Sequence, residues 1–203
     1  MPDRMILYGD AISGNCLKVK WTADHLGITH DWHPVDVVAG EARTAAFLRV
    51  NPGGKLPAVV LPTGELLTES NAIMHYLARD SALIPDDPLD HTHMLQWMFW
   101  EQYSHEPYIA VRRYHLHLAG ADPETLDPKL KERGNAALAV MEAHLAGDGT
   151  AARDWFVGKG LTLADAALVA YTRWAGQGGF DLEAFPAVRD WVGRVEGALG
   201  IDG

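Results

Sequence analysis

The 203-residue chain holds one cysteine. A single thiol cannot close an internal disulfide, so nothing calls for an oxidising compartment and a cytoplasmic location is expected. No window offers the roughly 18 uncharged apolar residues that a membrane span needs. Met1-Pro2-Asp3-Arg4 has no apolar h-region behind it, so no secretion signal is expected. Basic residues are few: 17 Lys and Arg face 27 Asp and Glu, a formal net charge of −10. That balance argues against nucleic acid or an anionic membrane as the main partner, since both reward a basic face. It leaves room for a small anionic ligand held by local N–H groups. A Cys/His cluster with zinc spacing is also missing. The ten histidines are scattered, and the pairs His91/His93 and His115/His117 are spaced to fall on different faces of a helix, so no metal is expected.

What is there suffices for a core, with 48% hydrophobic residues. Residues 5–8 read as a short buried strand broken by Gly9 and Asp10. Residues 15–26 read as a helix stopped at Gly27. Residues 30–38 alternate as a second strand, 44–49 are a short helix, and Asn51-Pro52-Gly53-Gly54 is a turn cluster. Residues 58–61 and 66–68 are strands joined by the turn Pro62-Thr63-Gly64-Glu65. Residues 70–79 are helical, with Ala72, Ile73, Tyr76 and Leu77 on one stripe. The order β-α-β-α-β-β-α, with helices on both sides of a mixed sheet, is a thioredoxin-like arrangement.

The pattern changes at Ile84-Pro85-Asp86-Asp87-Pro88, which reads as a linker. The expected division is a domain over 1–81, a linker over 82–90 and an all-helical domain over 91–203. Residues 91–118 form a long helix with a stripe through Leu95, Met98, Gln102 and Ile109, kinked near Tyr103 by Pro107. Residues 128–145, with Leu130, Ala137, Leu138 and Met141 inward, 162–174 and 186–199 are further helices. Thr162 and Asp165 form a capping box.

Three short stretches carry chemistry. In Leu56-Pro57, a proline opens a strand after a glycine turn. A trans proline would merely begin an edge strand; a cis bond, which we expect here, turns the Leu56 N–H and C=O outward, where they can pair with another extended backbone. In Thr68-Glu69-Ser70-Asn71, a strand hands over to a helix whose first N–H groups have no internal partner. With the Ser70 hydroxyl they suit a carboxylate, and Glu69 suits an ammonium group, so a free amino-acid end fits the pair. Plain N-capping by Ser70 is the alternative. In "AISGNC", residues 11–16, Ser13 falls at the start of the first helix. A thiolate placed there would feel unpaired N–H groups, the helix dipole and donors from Ser13 and Asn15. Two charge-assisted hydrogen bonds of about 1.5–3 kcal/mol each would bring a thiol from about 8.5 to near neutrality. Ser and Asn are also common helix caps, and capping alone would explain them.

Together the SGNC loop, "NPGGKLPAVV", "LTESNAI", the proline linker, the helical second half and "LTLADAALVAY" resemble a glutathione transferase of the cytosolic type, along the whole chain. The loop resembles the bacterial serine/asparagine variety. The resemblance implies that Ser13 and Asn15 face the glutathione sulfur. It implies that Leu56, beside Pro57, binds the cysteinyl backbone, that Glu69 and Ser70 hold the γ-glutamyl end, and that Lys55, with Arg43 as a weaker candidate, meets the glycyl carboxylate. It implies a homodimer, with the helix after Ser70 and the kinked helix at the interface, and glutathione as co-substrate for attack on a hydrophobic electrophile. Tyr108 or Arg112 is expected on the electrophile pocket's inner wall, among Tyr103, Glu106 and Arg113. Trp97, Phe99 and Trp100 are expected to pack. Cys16 stands one residue beyond the position of the cysteine-type class; it is either a redox residue or a small residue packed under the loop. Glutathione-dependent disulfide reduction and a non-catalytic binding module are the alternative functions.

Overall fold

The structure is a computed structural model and describes residues 4–147, 149 and 151–201; Met1-Pro2-Asp3 of the opening segment lie outside these. The chain divides into two compact units, Met1–Ser81 and Ala82–Gly203.

The first unit is built on a four-stranded sheet in the order β2-β1-β3-β4. Its elements are β1 (Met5–Gly9), α1 (Gly14–His25), β2 (His30–Pro34), α2 (Ala45–Val50), β3 (Ala58–Val60), β4 (Leu66–Thr68) and α3 (Ser70–Leu77). Strand β1 runs parallel to β2 and antiparallel to β3, and β4 returns antiparallel through the expected turn, which Leu61 N and Gly64 N close. This is the mixed thioredoxin-like sheet. Alternation separates its faces. Tyr8, Leu56 and Leu66 pack with Val35, Ala42, Phe47 and Ala58 on the α2 side. Leu7 and Val59, which pair across β1 and β3, point the other way, and both are fully buried.

Three boundaries differ from the sequence reading. Gly9 does not break β1; it is its last residue and pairs with Pro34. The Trp32 ring lies so close that a Cβ at Gly9 would stand 2.5 Å from it, which is why the strand ends in glycine. Strand β2 stops at Pro34 instead of Val38, because carboxylates capture the following N–H groups: Asp36 N donates to Glu41, and Ala39 N to Asp36. On α3 the buried stripe is Ile73, Met74 and Leu77, while Ala72 and Tyr76 are exposed.

The second unit is helical: α4 (Pro88–Trp100), α5 (Glu106–Arg113), α6 (Pro128–Ala146), α7 (Leu163–Thr172) and α8 (Pro186–Leu199). Every residue of α7 is buried, as suits a helix wrapped by its neighbours on all sides; α4, α5 and α8 pack against it. Helix α4 begins at Pro88, capped by Asp87, three residues before the expected start at His91. Pro at the first helical position has no N–H to leave unsatisfied.

The effect of Pro107 is a π-helical turn over Glu101–His105, closed by Glu106 N donating to Glu101 O. The extra residue shifts the buried stripe to Met94, Met98, Glu101, His105 and Ile109, leaving Leu95 and Gln102 half-buried. Trp97 packs as expected, edge-on to Trp100, His144 and Phe156, but Phe99 is 73% exposed. Ala137, Leu138 and Met141 of α6 are buried and Leu130 is half-buried.

The capping box at α7 goes further than a local pair. Asp165 Oδ2 accepts from the N–H and the hydroxyl of Thr162, both at 2.9 Å. Its Oδ1 accepts from Phe156 N at 3.0 Å and Trp191 Nε1 at 2.9 Å. One fully buried carboxylate thus gathers four donors from three segments.

Candidate functional site

Ser13 is the N-cap of α1, in extended backbone (φ −95, ψ 115), and its Oγ accepts from Cys16 N at 3.4 Å. Capping and catalysis do not compete here. A hydroxyl has two lone pairs and one proton, so an Oγ that accepts from the helix still has its O–H to donate. The loop before it is held by Asp10, whose part was not foreseen. Asp10 O accepts from Ser13 N at 3.1 Å, and its carboxylate accepts from Ile12 N at 3.1 Å and Val37 N at 2.9 Å. The Gly-Asp pair directly after a strand was the available signal; the partner at Val37 lies 27 residues away.

Cys16 is fully buried, and Gly9 and the Trp32 ring pack close by. Burial pushes its thiol above the ordinary value; the Ser13 hydroxyl and the Asp10 backbone pull the other way without cancelling it. A reactive cysteine needs exposure and a lowered pKa. Of the two readings of Cys16, this geometry matches the packed residue and opposes the redox one.

Asn15 meets a residue 55 positions away: the Ser70 hydroxyl donates to Asn15 Oδ1 at 3.1 Å. This contact joins the SGNC loop to the amino end of α3. Ser70 is not the N-cap of that helix. The cap is Glu69, and Ser70 is the first helical residue, buried, with its side chain turned toward Asn15. Glu69 has φ 65 and ψ 109, the one positive-φ residue other than glycine among the described residues. Such a conformation costs about 1–3 kcal/mol and is found where surrounding structure imposes it, often at ligand sites. Its carboxylate side chain is exposed.

The Leu56-Pro57 bond is cis, as expected. Among the described residues, neither the N–H nor the C=O of Leu56 takes part in a backbone hydrogen bond. Asn51 shapes the approach to it: its Nδ2 donates to Lys55 O at 2.8 Å and its Oδ1 accepts from Gly53 N at 3.0 Å. Gly54, at φ +58, is confined by the chain around it; a Cβ there would stand 2.6 Å from Arg43 Nη1 and 3.1 Å from Ala42 O. Arg43 and Lys55, both exposed, therefore flank the same turn.

The electrophile candidates separate. Tyr108 lines an open groove of about 250 Å³ in the second unit with Trp100, Tyr103, Ser104, Arg133 and Val140, and its hydroxyl accepts from Arg133 Nη1 at 2.8 Å. Arg112 does not line this groove. It is buried and donates through Nε to Gly178 O at 2.8 Å, a bond that ties α5 to the segment after α7. Arg113 is buried too, bonded to Gln177 and stacked 4.0 Å over Trp174. These long side chains serve packing, contrary to the expectation for Arg112.

No helix among the described residues is long and apolar enough to cross a membrane.

Comparison with known proteins finds matches along most of the chain. A model of the glutathione S-transferase N-terminal domain matches residues 12–80, and one of the glutathione S-transferase C-terminal domain matches residues 90–198. The solved glutathione S-transferase of Pseudomonas fluorescens Pf-5 is 43% identical, with a TM-score of 0.89 over 96% of this chain and 95% of its own. The solved structure of a possible glutathione S-transferase from Rhodopseudomonas palustris is 40% identical, with a TM-score of 0.91 over 99% and 98%. The disulfide-bond oxidoreductase YfcG of Escherichia coli is 30% identical over 169 residues, 79% of this chain and 76% of its own length.

Proposed function

Because this chain belongs to the glutathione S-transferase family and is a glutathione-dependent transferase, we propose that Ser13 and Asn15 hold the glutathione sulfur as thiolate. The observation that carries this reading is the Asn15–Ser70 hydrogen bond. It brings two motifs, one read for the cysteinyl sulfur and one for the γ-glutamyl end of the same tripeptide, to hydrogen-bond distance of each other. We read the loop, with Ser13 capping α1 and Asn15 following it, as the bacterial serine/asparagine variety.

The remaining parts follow the same ligand. Leu56, next to cis-Pro57, offers its unpaired backbone groups to the cysteinyl unit. The amino end of α3, at Glu69 and Ser70, takes the γ-glutamyl end, with helix N–H groups for the carboxylate and Glu69 for the ammonium. Lys55 and Arg43, flanking one turn, meet the glycyl carboxylate. The thiolate sulfur attacks an electrophilic carbon of a hydrophobic substrate; a C–S bond forms and the leaving group departs with its electron pair. The protein contributes orientation and a lowered thiol pKa. Tyr108 is the residue we assign to the electrophile side, on the strength of the groove it lines. A homodimer fits the exposed Tyr76 of α3 and Phe99 and Tyr103 around the π turn, and a cytoplasmic location fits an enzyme that consumes reduced glutathione.

Turnover of an activated aryl halide with Ser13→Ala tests the assignment. Loss of one charge-assisted donor predicts a decrease of about ten- to a hundred-fold; unchanged turnover removes Ser13 from the mechanism. The buried Cys16 and the similarity to YfcG favour a second reaction, in which two glutathione molecules reduce a disulfide to two thiols and leave as glutathione disulfide. Full activity of Cys16→Ser on a model disulfide is expected, since no protein thiol takes part.

A further inference from the structure

Strand β1 ends at Gly9, but its pairing with the neighbouring segment does not. Gly9 O accepts from Val35 N at 2.9 Å. Beyond Gly9 the chain turns away toward α1, and two residues past Val35 the N–H of Val37 donates to the Asp10 carboxylate, to Oδ2, at 2.9 Å. A side chain thus carries the pairing one step beyond the strand. The other oxygen, Oδ1, accepts from Ile12 N at 3.1 Å, and the main-chain oxygen of Asp10 accepts from Ser13 N at 3.1 Å. One half-buried residue therefore holds positions 12 and 13 from within the loop and Val37 from outside it. Val37 is itself set in a segment closed by carboxylates. Asp36 N donates to Glu41 Oε2 and Ala39 N to Asp36 Oδ1, each at 2.7 Å, and Gly40 N donates to Val37 O at 3.1 Å. The helix secures the Ser13 side chain only weakly, since the capping bond to Cys16 N is 3.4 Å long.

We propose that Asp10 is a positioning residue for Ser13: through its bond to Val37 the carboxylate fixes the turn that carries the Ser13 hydroxyl to the start of α1, so the segment after β2 sets where that hydroxyl stands. This rests on the glutathione reading above and adds a residue to it; Asp10 acts through Ser13 and not on the tripeptide. Position matters at such a site, because a misplacement of about 1 Å can cost as much as about a hundred-fold in rate. Charge points the same way. Burial raises the Cys16 thiol most, and the negative charge of Asp10 adds to it, so the carboxylate opposes any thiolate at this helix start. An acid kept there against its own electrostatic effect has a geometric task. The local turn and the distant tie can be separated by chemistry. The turn to Ile12 needs one side-chain oxygen, which asparagine also has. In Asp10→Asn the second oxygen becomes an amide nitrogen, which cannot accept from Val37 N.

The test is a double-mutant cycle, read by steady-state turnover of an activated aryl halide together with glutathione affinity by calorimetry. Asp10→Asn is expected to lower kcat about ten-fold and to change the affinity for glutathione less than about three-fold. Asp10→Ala, which also gives up the local turn, is expected to lower kcat at least as far. Placed on Ser13→Ala, Asp10→Asn is expected to change kcat less than about two-fold, because no hydroxyl remains to be positioned. Removing a negative charge by itself favours the thiolate, so a fall in kcat runs against the electrostatics of the substitution and reports geometry. Should Asp10→Ala not fold, Asp10→Asn carries the test alone, since it keeps the turn. Wild-type kcat in Asp10→Asn overturns the proposal and shows that the local turn suffices. An equal loss of kcat and affinity also overturns it, since the substitution then damages the cleft as a whole. So does a ten-fold loss that persists on Ser13→Ala, which places the action of Asp10 elsewhere. No heat of glutathione binding to the wild type, or unchanged turnover in Ser13→Ala alone, is a different failure, that of the glutathione reading itself.

Discussion

The helix starts of α1 and α7 use the same chemistry for opposite ends. Each is capped by a side-chain oxygen at the residue before the helix, Ser13 in one and Thr162 in the other. At α7 the capping carboxylate is fully buried and all its lone pairs face donors: Thr162 twice, Phe156 and Trp191. Nothing is left over, and the result is a rigid joint between three segments. At α1 the cap makes one long bond of 3.4 Å to the helix, and the loop is half-exposed. A cap becomes functional when its hydrogen-bonding capacity exceeds what the fold consumes. The surplus at Ser13 is what a ligand can use, and its absence at Asp165 is why that residue, equally conspicuous in sequence, carries no chemistry.

The contrast can be broken from either side. The largest expected effect is at α7: Asp165→Ala strands buried donors in three places and should cost about 4 kcal/mol, read as a lowered midpoint in denaturant unfolding. A loss below about 1 kcal/mol would mean the site relaxes or hydrates, and the idea of a fully consumed cap would go with it. At α1 the ordering reverses. Ser13→Ala should cost only about 0.5 kcal/mol of stability, since the capping bond is long, while turnover falls by the ten- to hundred-fold given above. Equal losses at both starts, in both measurements, would erase the distinction.

The smallest effect concerns Cys16, one turn into α1. Its folded pKa lies above the unfolded value because burial disfavours the thiolate. The neutral thiol's contribution is therefore fully present below the unfolded pKa, about 8.5, and is lost as pH rises from there toward the folded value. Stability followed from pH 8 upward should decline, and Cys16→Ala should flatten that decline. In the native protein the thiol should also resist alkylation until denaturant opens the fold. Rapid labelling under native conditions would contradict the packed geometry and reopen a redox role.

Much of the fold was readable along the chain because its signals act over a few residues. Gly27 stops α1, the turn at 62–65 joins β3 to β4, and Thr162 and Asp165 announce α7. The departures come mostly from packing partners that lie far along the chain. Gly9 looked like a breaker, yet the Trp32 ring occupies the space a side chain would need. The stripe on α4 and α5 shifted because Pro107 was met by a π turn, and one extra residue changes which positions face inward. Arg112 looked like a pocket residue by type, but type does not say whether a guanidinium finds a carbonyl such as that of Gly178.

The sequence by itself determined the kinds of elements and their order, that a strand-helix loop with Ser13 and Asn15 would sit at a helix start, and that Leu56-Pro57 and Glu69-Ser70 would stand at strand ends. These follow from backbone preferences and alternation, which depend on near neighbours. Only the tertiary structure decided that Asn15 meets Ser70, that Asp10 reaches Val37, that Cys16 is sealed away and that Asp165 gathers four donors. Desolvation and hydrogen-bond partnership are set by whichever distant segment packs alongside, and no short window of residues contains that segment.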